Sequence, residues 1–171
     1  MAKLAEIAGV TIRLEQVAPE NDNLPITLDV DAVPLPEVLN HLLKLAPGYA
    51  WHQEGNGSIL VASAGARVRP SQVQVDVVST VRMNKRDVSQ YIYGLPEVQR
   101  WAKCVKCEPM DVLSLSVLGR PRNRPGTEFL IEPVVGTLGN LLRNMAEQSG
   151  TRFWVIHVFE DREACRFNIG F

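Results

Sequence analysis

The sequence has no long apolar run. Although 46% of its 171 residues are hydrophobic, charges interrupt every apolar stretch before the roughly 20 residues that a membrane-spanning helix requires. The sequence also has too few cysteines for a disulfide framework. Its three cysteines, Cys104, Cys107 and Cys165, allow at most one bond within the chain. We therefore expect no membrane-spanning helix among these residues, and no small fold that depends on several disulfide bonds.

An excess of charge of either sign is also missing. The chain has 18 basic and 19 acidic residues, for a net charge of -1. Dedicated nucleic-acid binders and anionic-membrane binders usually carry a basic surface, so we expect neither kind of partner. The segment Gly136-Thr137-Leu138-Gly139 matches the glycine loop of KH nucleic-acid modules, but a predicted strand precedes it where KH modules have a helix. The expected partners are proteins or small molecules.

The common catalytic signatures are absent from the sequence. It contains no phosphate-binding glycine loop, no zincin motif and no Gly-x-Ser-x-Gly elbow. His41, His52 and His157 lie in patterns typical of packed or surface residues, and Asp29 and Asp31 share what we interpret as the solvent face of a strand. We predict that the protein is not an enzyme and uses no cofactor.

Apolar periodicity predicts an α+β fold, in which small mixed sheets are each packed by amphipathic helices. The predicted helices cover residues 4–8, 35–46, 87–104 with a break at 94–96, and 138–148. The predicted strands cover residues 10–15, 26–31, 49–53, 58–62, 73–77, 112–118, 128–134, 152–159 and 166–171.

The composition predicts two tandem units. Residues 64–72 are small, basic and proline-containing, which favours a linker between a unit at 1–63 and a unit at 73–171. The second unit is expected to carry an inserted helical segment and a mobile loop at 119–126.

A helical pattern begins at residue 1 without a capping residue, so we expect the chain to be part of a longer protein.

Two parts of the sequence repeat weakly. Leu4-Ala5-Glu6 followed by Gly9 has a counterpart in Met145-Ala146-Glu147 followed by Gly150. The leucine-rich segment 35–44 has a similar counterpart in 134–143. Because any amphipathic helix that ends in glycine before a strand shows this pattern, the repeat indicates a fold and carries no chemistry.

The segment from Leu4 to Ala62 resembles a known family, the short N-terminal (STN-like) domain of secretins and TonB-dependent receptors. The matching segments are Leu4 to Gly9 before a strand, Ile26 to Val30, Val33-Pro34-Leu35 and the helix to Leu43, Tyr49-Ala50-Trp51, and Ile59-Leu60-Val61. The region 128–159 is a candidate diverged second copy. Such domains pack against other proteins or subunits without catalysis. The resemblance therefore implies a periplasmic or cell-envelope location.

We therefore predict a non-catalytic module for protein–protein interaction or self-association. The candidate contact residues are aromatic and arginine side chains: Trp51, Tyr91, Tyr93, Arg120, Arg122 and Arg124. An alternative is a thiol-based redox or metal-binding protein that uses the Cys104/Cys107 pair, with Cys165 as a weaker metal-ligand candidate. A small-ligand pocket between sheet and helix is a third hypothesis, because ordinary apolar residues line such pockets.

Overall fold

The computed structural model describes residues 1–18, 32–55, 57–65, 69–84, 87–110, 128–148, 150, 152–160 and 164–170. The fold is α+β, as the sequence predicts. The helices are α1 (Ala2–Ala8), α2 (Leu35–Leu45), α3 (Val88–Gly94), α4 (Pro96–Val105) and α5 (Leu138–Gln148). The strands are β1 (Ile12–Ala18), β2 (Tyr49–Gln53), β3 (Ile59–Ser63), β4 (Gln74–Val77), β5 (Val81–Asn84), β6 (Cys107–Pro109), β7 (Glu128–Ile131), β8 (Val134–Thr137), β9 (Phe153–Glu160) and β10 (Cys165–Gly170).

A six-stranded mixed sheet forms the centre of the fold. Its strand order is β2-β3-β1-β9-β10-β6. Strand β1 lies parallel to both of its neighbours, β3 and β9, while β2/β3 and β9/β10 are antiparallel hairpins. Strands from both sides of the predicted 64–72 linker therefore share one sheet.

Helices cover both faces of this sheet. Ile12 and Phe153 point to the same face, where they pack with Ala5 of α1 and Leu39 of α2. Side chains alternate along each strand, so Trp154 points to the opposite face. There it joins the larger core, which also contains residues of α3, α4 and α5.

The other strands form a two-stranded antiparallel ribbon on the far side of α4 and α5. Strand β4 pairs with β8, and β5 pairs with β7. Between the pairs Val77↔Val134 and Val81↔Ile131, one strand has the three residues 78–80 and the other has two, 132–133. The two pairs form separate two-stranded sheets, and we call the irregular segment with the extra residue between them the bulge. The inward side chains, Val75, Val77 and Ile131 among them, belong to the larger core.

The weak sequence repeat corresponds to two helix–glycine–strand segments. Gly9 and Gly150 both adopt left-handed backbone angles, with φ of 68° and 70°. The residues three positions after these glycines, Ile12 and Phe153, are register partners in the parallel strands β1 and β9. The two helices nevertheless pack into different cores, α1 with Ile12 and α5 with Trp154.

The end of the predicted linker is packed against the fold. Pro70 and Ser71 are buried in a single 3₁₀ turn that contacts α5. The strands predicted at 26–31 and 112–118 and the loop at 119–126 lie outside the described residues. Strands β5 and β6 are additional to the prediction, and the prediction placed one strand over 128–134 where β7 and β8 stand.

Candidate functional site

The three aromatic contact candidates have structural roles. Trp51 is half-buried, and its Nε1 donates a hydrogen bond to Asn40 Oδ1 at 2.9 Å. Tyr93 is only 8% exposed, and its hydroxyl accepts a hydrogen bond from the Ile169 amide at 3.2 Å. Tyr91 packs against the larger core, and burial raises the pKa of its phenol. These side chains stabilise the fold and do not form one exposed surface.

The disulfide pairing differs from the Cys104/Cys107 pair on which the redox alternative depends. Cys107 forms a disulfide bond with Cys165, because β6 lies beside β10 and the two residues are register partners. Cys104 is an exposed free thiol near the end of α4. The Cys104/Cys107 pair is therefore not formed. Within the described ranges, no group of three or more His, Cys, Asp or Glu side chains could hold a metal ion.

The structure does not describe several other predicted residues, and it places the glycine motif in a helix and a strand. Arg120, Arg122, Arg124, Asp29 and Asp31 lie outside the described residues. The glycine motif at 136–139 joins β8 to α5, and Gly139 is buried in the helix. A backbone phosphate clamp needs an exposed loop, so this burial argues against the KH interpretation.

The outer face of the two-stranded ribbon is apolar and exposed. Val78 is 81% exposed, Val135 is 84% exposed and Leu130 is 40% exposed. These are three of the six large hydrophobic side chains that are exposed among the described residues. Charged residues surround them, and Arg82 lies 3.9 Å from Glu128 in an exposed ion pair. We define the ribbon face as Asp76, Val78, Arg82, Glu128, Leu130 and Val135.

A buried polar network lies on the polar face of β1, next to α5. The Arg13 guanidinium forms an ion pair with Glu54 and lies 5.6 Å from the ring centre of Trp154. Glu15 is fully buried, and its carboxylate accepts hydrogen bonds from the Ser71 amide at 3.0 Å and the Ser71 hydroxyl at 2.9 Å. The network connects β1 to the β2/β3 turn and to the 3₁₀ turn.

The environment of Arg13 is tightly packed and low in solvent. Burial lowers the pKa of the Arg13 guanidinium, the nearby charge of Arg143 lowers it further, and Glu15 opposes the shift. A Cβ atom at Gly139 would lie 3.1 Å from the Ser71 carbonyl and 3.2 Å from Arg13 Nη1. Glycine at this helix position therefore allows the helix, the arginine and the 3₁₀ turn to approach each other closely.

A polar cleft of about 390 Å³ lies at the start of β1 and β3. Arg143 and Glu147 are its charged lining residues, and they face each other at 3.8 Å. The cleft therefore presents one positive and one negative charge side by side.

None of the described helices is long and apolar enough to cross a membrane.

Comparisons with protein-family models, curated proteins and solved structures find no match to this chain.

His157 is half-buried on β9 and stacks on Phe159, with 5.9 Å between ring centres. Burial lowers the pKa of its imidazole, so the unfolded chain binds this proton more readily than the folded chain does. Its contribution to stability is fully present above about pH 6.5 and falls as the pH drops from there through the lowered folded pKa.

We expect His157→Gln to flatten the dependence of unfolding free energy on pH below about 6.5, as measured by urea unfolding at several pH values. His52→Gln, at an exposed residue of β2, is the comparison variant that removes a histidine elsewhere on the same sheet. Equal slopes for His157→Gln and the original protein would contradict this prediction.

The sequence analysis missed both the ribbon face and the buried network. Alternation predicts the strand at 10–15, but an alternating pattern gives no sign that Arg13 and Glu15, on its polar face, are buried. The apolar signal for the ribbon face is the Val134-Val135 pair, in which one valine packs inward and the other points outward. Only the pairing of β8 with β4 shows which one is exposed.

Proposed function

We propose that this chain is a non-catalytic protein-interaction module of a bacterial cell-envelope protein. The ribbon face is the observation that carries the proposal. Single exposed hydrophobic residues are common on soluble proteins, but Val78, Leu130 and Val135 are concentrated on one short ribbon with charged residues around them. An apolar centre with a polar rim is the usual composition of a protein–protein interface.

Two observations support the cell-envelope location. Disulfide bonds such as Cys107–Cys165 persist mainly in oxidising compartments, of which the bacterial periplasm is one. The resemblance of residues 4–62 to STN-like domains implies the same compartment.

The proposal is tested by site-specific photo-crosslinking from the ribbon face in the cells that express the protein. A photoreactive side chain in place of Val135 should crosslink to a discrete protein, which should also bind the purified chain. The matched control is the same group in place of Ile7, which is 72% exposed on α1, away from the ribbon. No discrete product at position 135, or equal products at both positions, would contradict the proposed function.

A further inference from the structure

We infer that the ribbon face binds a second copy of this chain, packed face to face about a two-fold axis. This inference rests on the proposed function and names its partner. A two-fold interface requires a self-complementary surface, because a contact of residue i with residue j is repeated as a contact of j with i.

The order of side chains along the ribbon meets this requirement. On the outer face, Asp76 and Val135 are register partners on one side of the bulge. Arg82 and Leu130 are register partners on the other side. Val78 lies in the bulge between these two pairs.

Consider two ribbons face to face, with a two-fold axis between them that passes over the bulge and runs perpendicular to the strands. Rotation about this axis reverses the second ribbon along its length and keeps each strand opposite its own copy. The pair on one side of the bulge in one copy therefore faces the pair on the other side of the bulge in the second copy. Asp76 then faces Arg82 of the second copy, and Val135 faces Leu130 of the second copy. Each contact occurs twice, and Val78 lies next to the axis, where the same register places it opposite Thr80 of the second copy. The Asp76 and Arg82 charges and the Val135 and Leu130 side chains are therefore complementary in one arrangement. In the same arrangement Glu128 faces Thr137 of the second copy and keeps its ion pair with Arg82 of its own chain.

The arrangement also fits the residues at the ribbon ends. The same rotation places the exposed amide side chain of Asn84 opposite Gln74 of the second copy, so two uncharged polar groups meet there. Three apolar side chains per copy make a smaller contact than the ~800 Å² per partner that a stable interface buries. We therefore expect a weak dimer with a Kd of about 10–100 μM.

A charge-swap experiment tests this inference. Sedimentation velocity and light scattering over a range of concentrations should show a monomer–dimer equilibrium for the original chain. Asp76→Arg alone, or Arg82→Asp alone, places like charges at both repeated contacts and should weaken the dimer by about tenfold or more. An equimolar mixture of the two variants should restore dimerisation, because position 76 of each variant then faces the opposite charge at position 82 of the other.

Lys3→Glu is the control, because it reverses a charge that is 77% exposed on α1, far along the chain from the ribbon. It should leave the dimer unchanged, and far-UV circular dichroism should show that all variants are folded. A monomeric original chain up to millimolar concentration, a dimer that tolerates both reversals, or a mixture that stays monomeric each overturns the inference. A discrete crosslink from position 135 to a different protein overturns the second copy as partner but leaves the proposed function standing. Absence of both crosslink and dimer contradicts both proposals.

Discussion

Removal of the Cys107–Cys165 disulfide bond is expected to lower the free energy of unfolding by about 4 kcal/mol. The two cysteines are 58 residues apart in sequence. The bond therefore restricts a long loop of the unfolded chain, and the entropy gained on cutting it rises with loop length. It also fixes β6, a three-residue strand at the edge of the central sheet, to β10. The double variant Cys107→Ala with Cys165→Ala should show this loss in urea unfolding, with a fall in Tm of about 10 °C.

The third cysteine provides the control for this prediction. Cys104→Ser removes an exposed thiol and should change stability by less than about 0.5 kcal/mol. Reducing agent should destabilise the original protein and Cys104→Ser equally, and should have no effect on the double alanine variant. Peptide mapping without reduction should find Cys107 joined to Cys165, with Cys104 open to alkylation. A bond between Cys104 and Cys107 would refute the pairing and revive the thiol-redox alternative.

Local structure was largely predictable because its signals are local. The stripe of apolar residues at spacings of three and four defines α2 and α5, and Pro96 marks the break between α3 and α4. The strands predicted at 49–53 and 58–62 correspond to β2 and β3, and a turn that contains Gly57, whose φ is 80°, joins them. Each of these features depends on residues within about one or two turns of each other.

Long-range pairing was not predictable from the same signals. The parallel contact of β1 with β9 joins Ile12 to Phe153 across most of the chain, and no short-range pattern records it. The disulfide bond was not predictable for the same reason. Cys104 is nearer to Cys107 in sequence, but Cys165 lies opposite Cys107 in the neighbouring strand. The candidate site follows from such pairing. The ribbon face exists only because β4 and β5 meet β8 and β7.

The burial of the polar face of β1 was also not predictable, for a physical reason. A strand with one apolar and one polar face normally exposes the polar face. In this fold α5 and the 3₁₀ turn cover that face, so Arg13 and Glu15 are 5% and 0% exposed. Their burial is tolerated because each has a polar partner, Glu54 for the arginine and Ser71 for the glutamate.

Substitution of Arg13 or Glu15 in this buried network should lower the free energy of unfolding about as much as loss of the disulfide bond. Arg13→Ala is expected to lower the free energy of unfolding by about 3–5 kcal/mol, because the buried Glu15 carboxylate loses a compensating positive charge. The loss for Glu15→Ala should be of similar size, since the Ser71 amide and hydroxyl lose their hydrogen-bond acceptor. Urea unfolding followed by far-UV circular dichroism measures both losses without relying on the fluorescence of Trp154, which lies beside Arg13.

An exposed ion pair gives the matched control. Lys3 and Glu6 lie 2.9 Å apart with both side chains more than 70% exposed. Lys3→Ala should therefore cost less than about 1 kcal/mol, because water screens such a pair. If Arg13→Ala is no more costly than Lys3→Ala, the network does not stabilise the fold as we argue.

The double variant Arg13→Met with Glu15→Leu separates the two sources of this cost. Single substitutions leave a buried charge or a buried donor without its partner, whereas the double variant removes both charges and keeps most of the volume. We therefore expect its loss of stability to be smaller, by about 1–3 kcal/mol, than the sum of the losses for Arg13→Met and Glu15→Leu made singly. Additive losses would mean that Arg13 and Glu15 act independently, each through its own partner on a different turn. A smaller combined loss would show that β1 holds the β2/β3 turn and the 3₁₀ turn through one coupled network, whose polar groups are costly to remove singly.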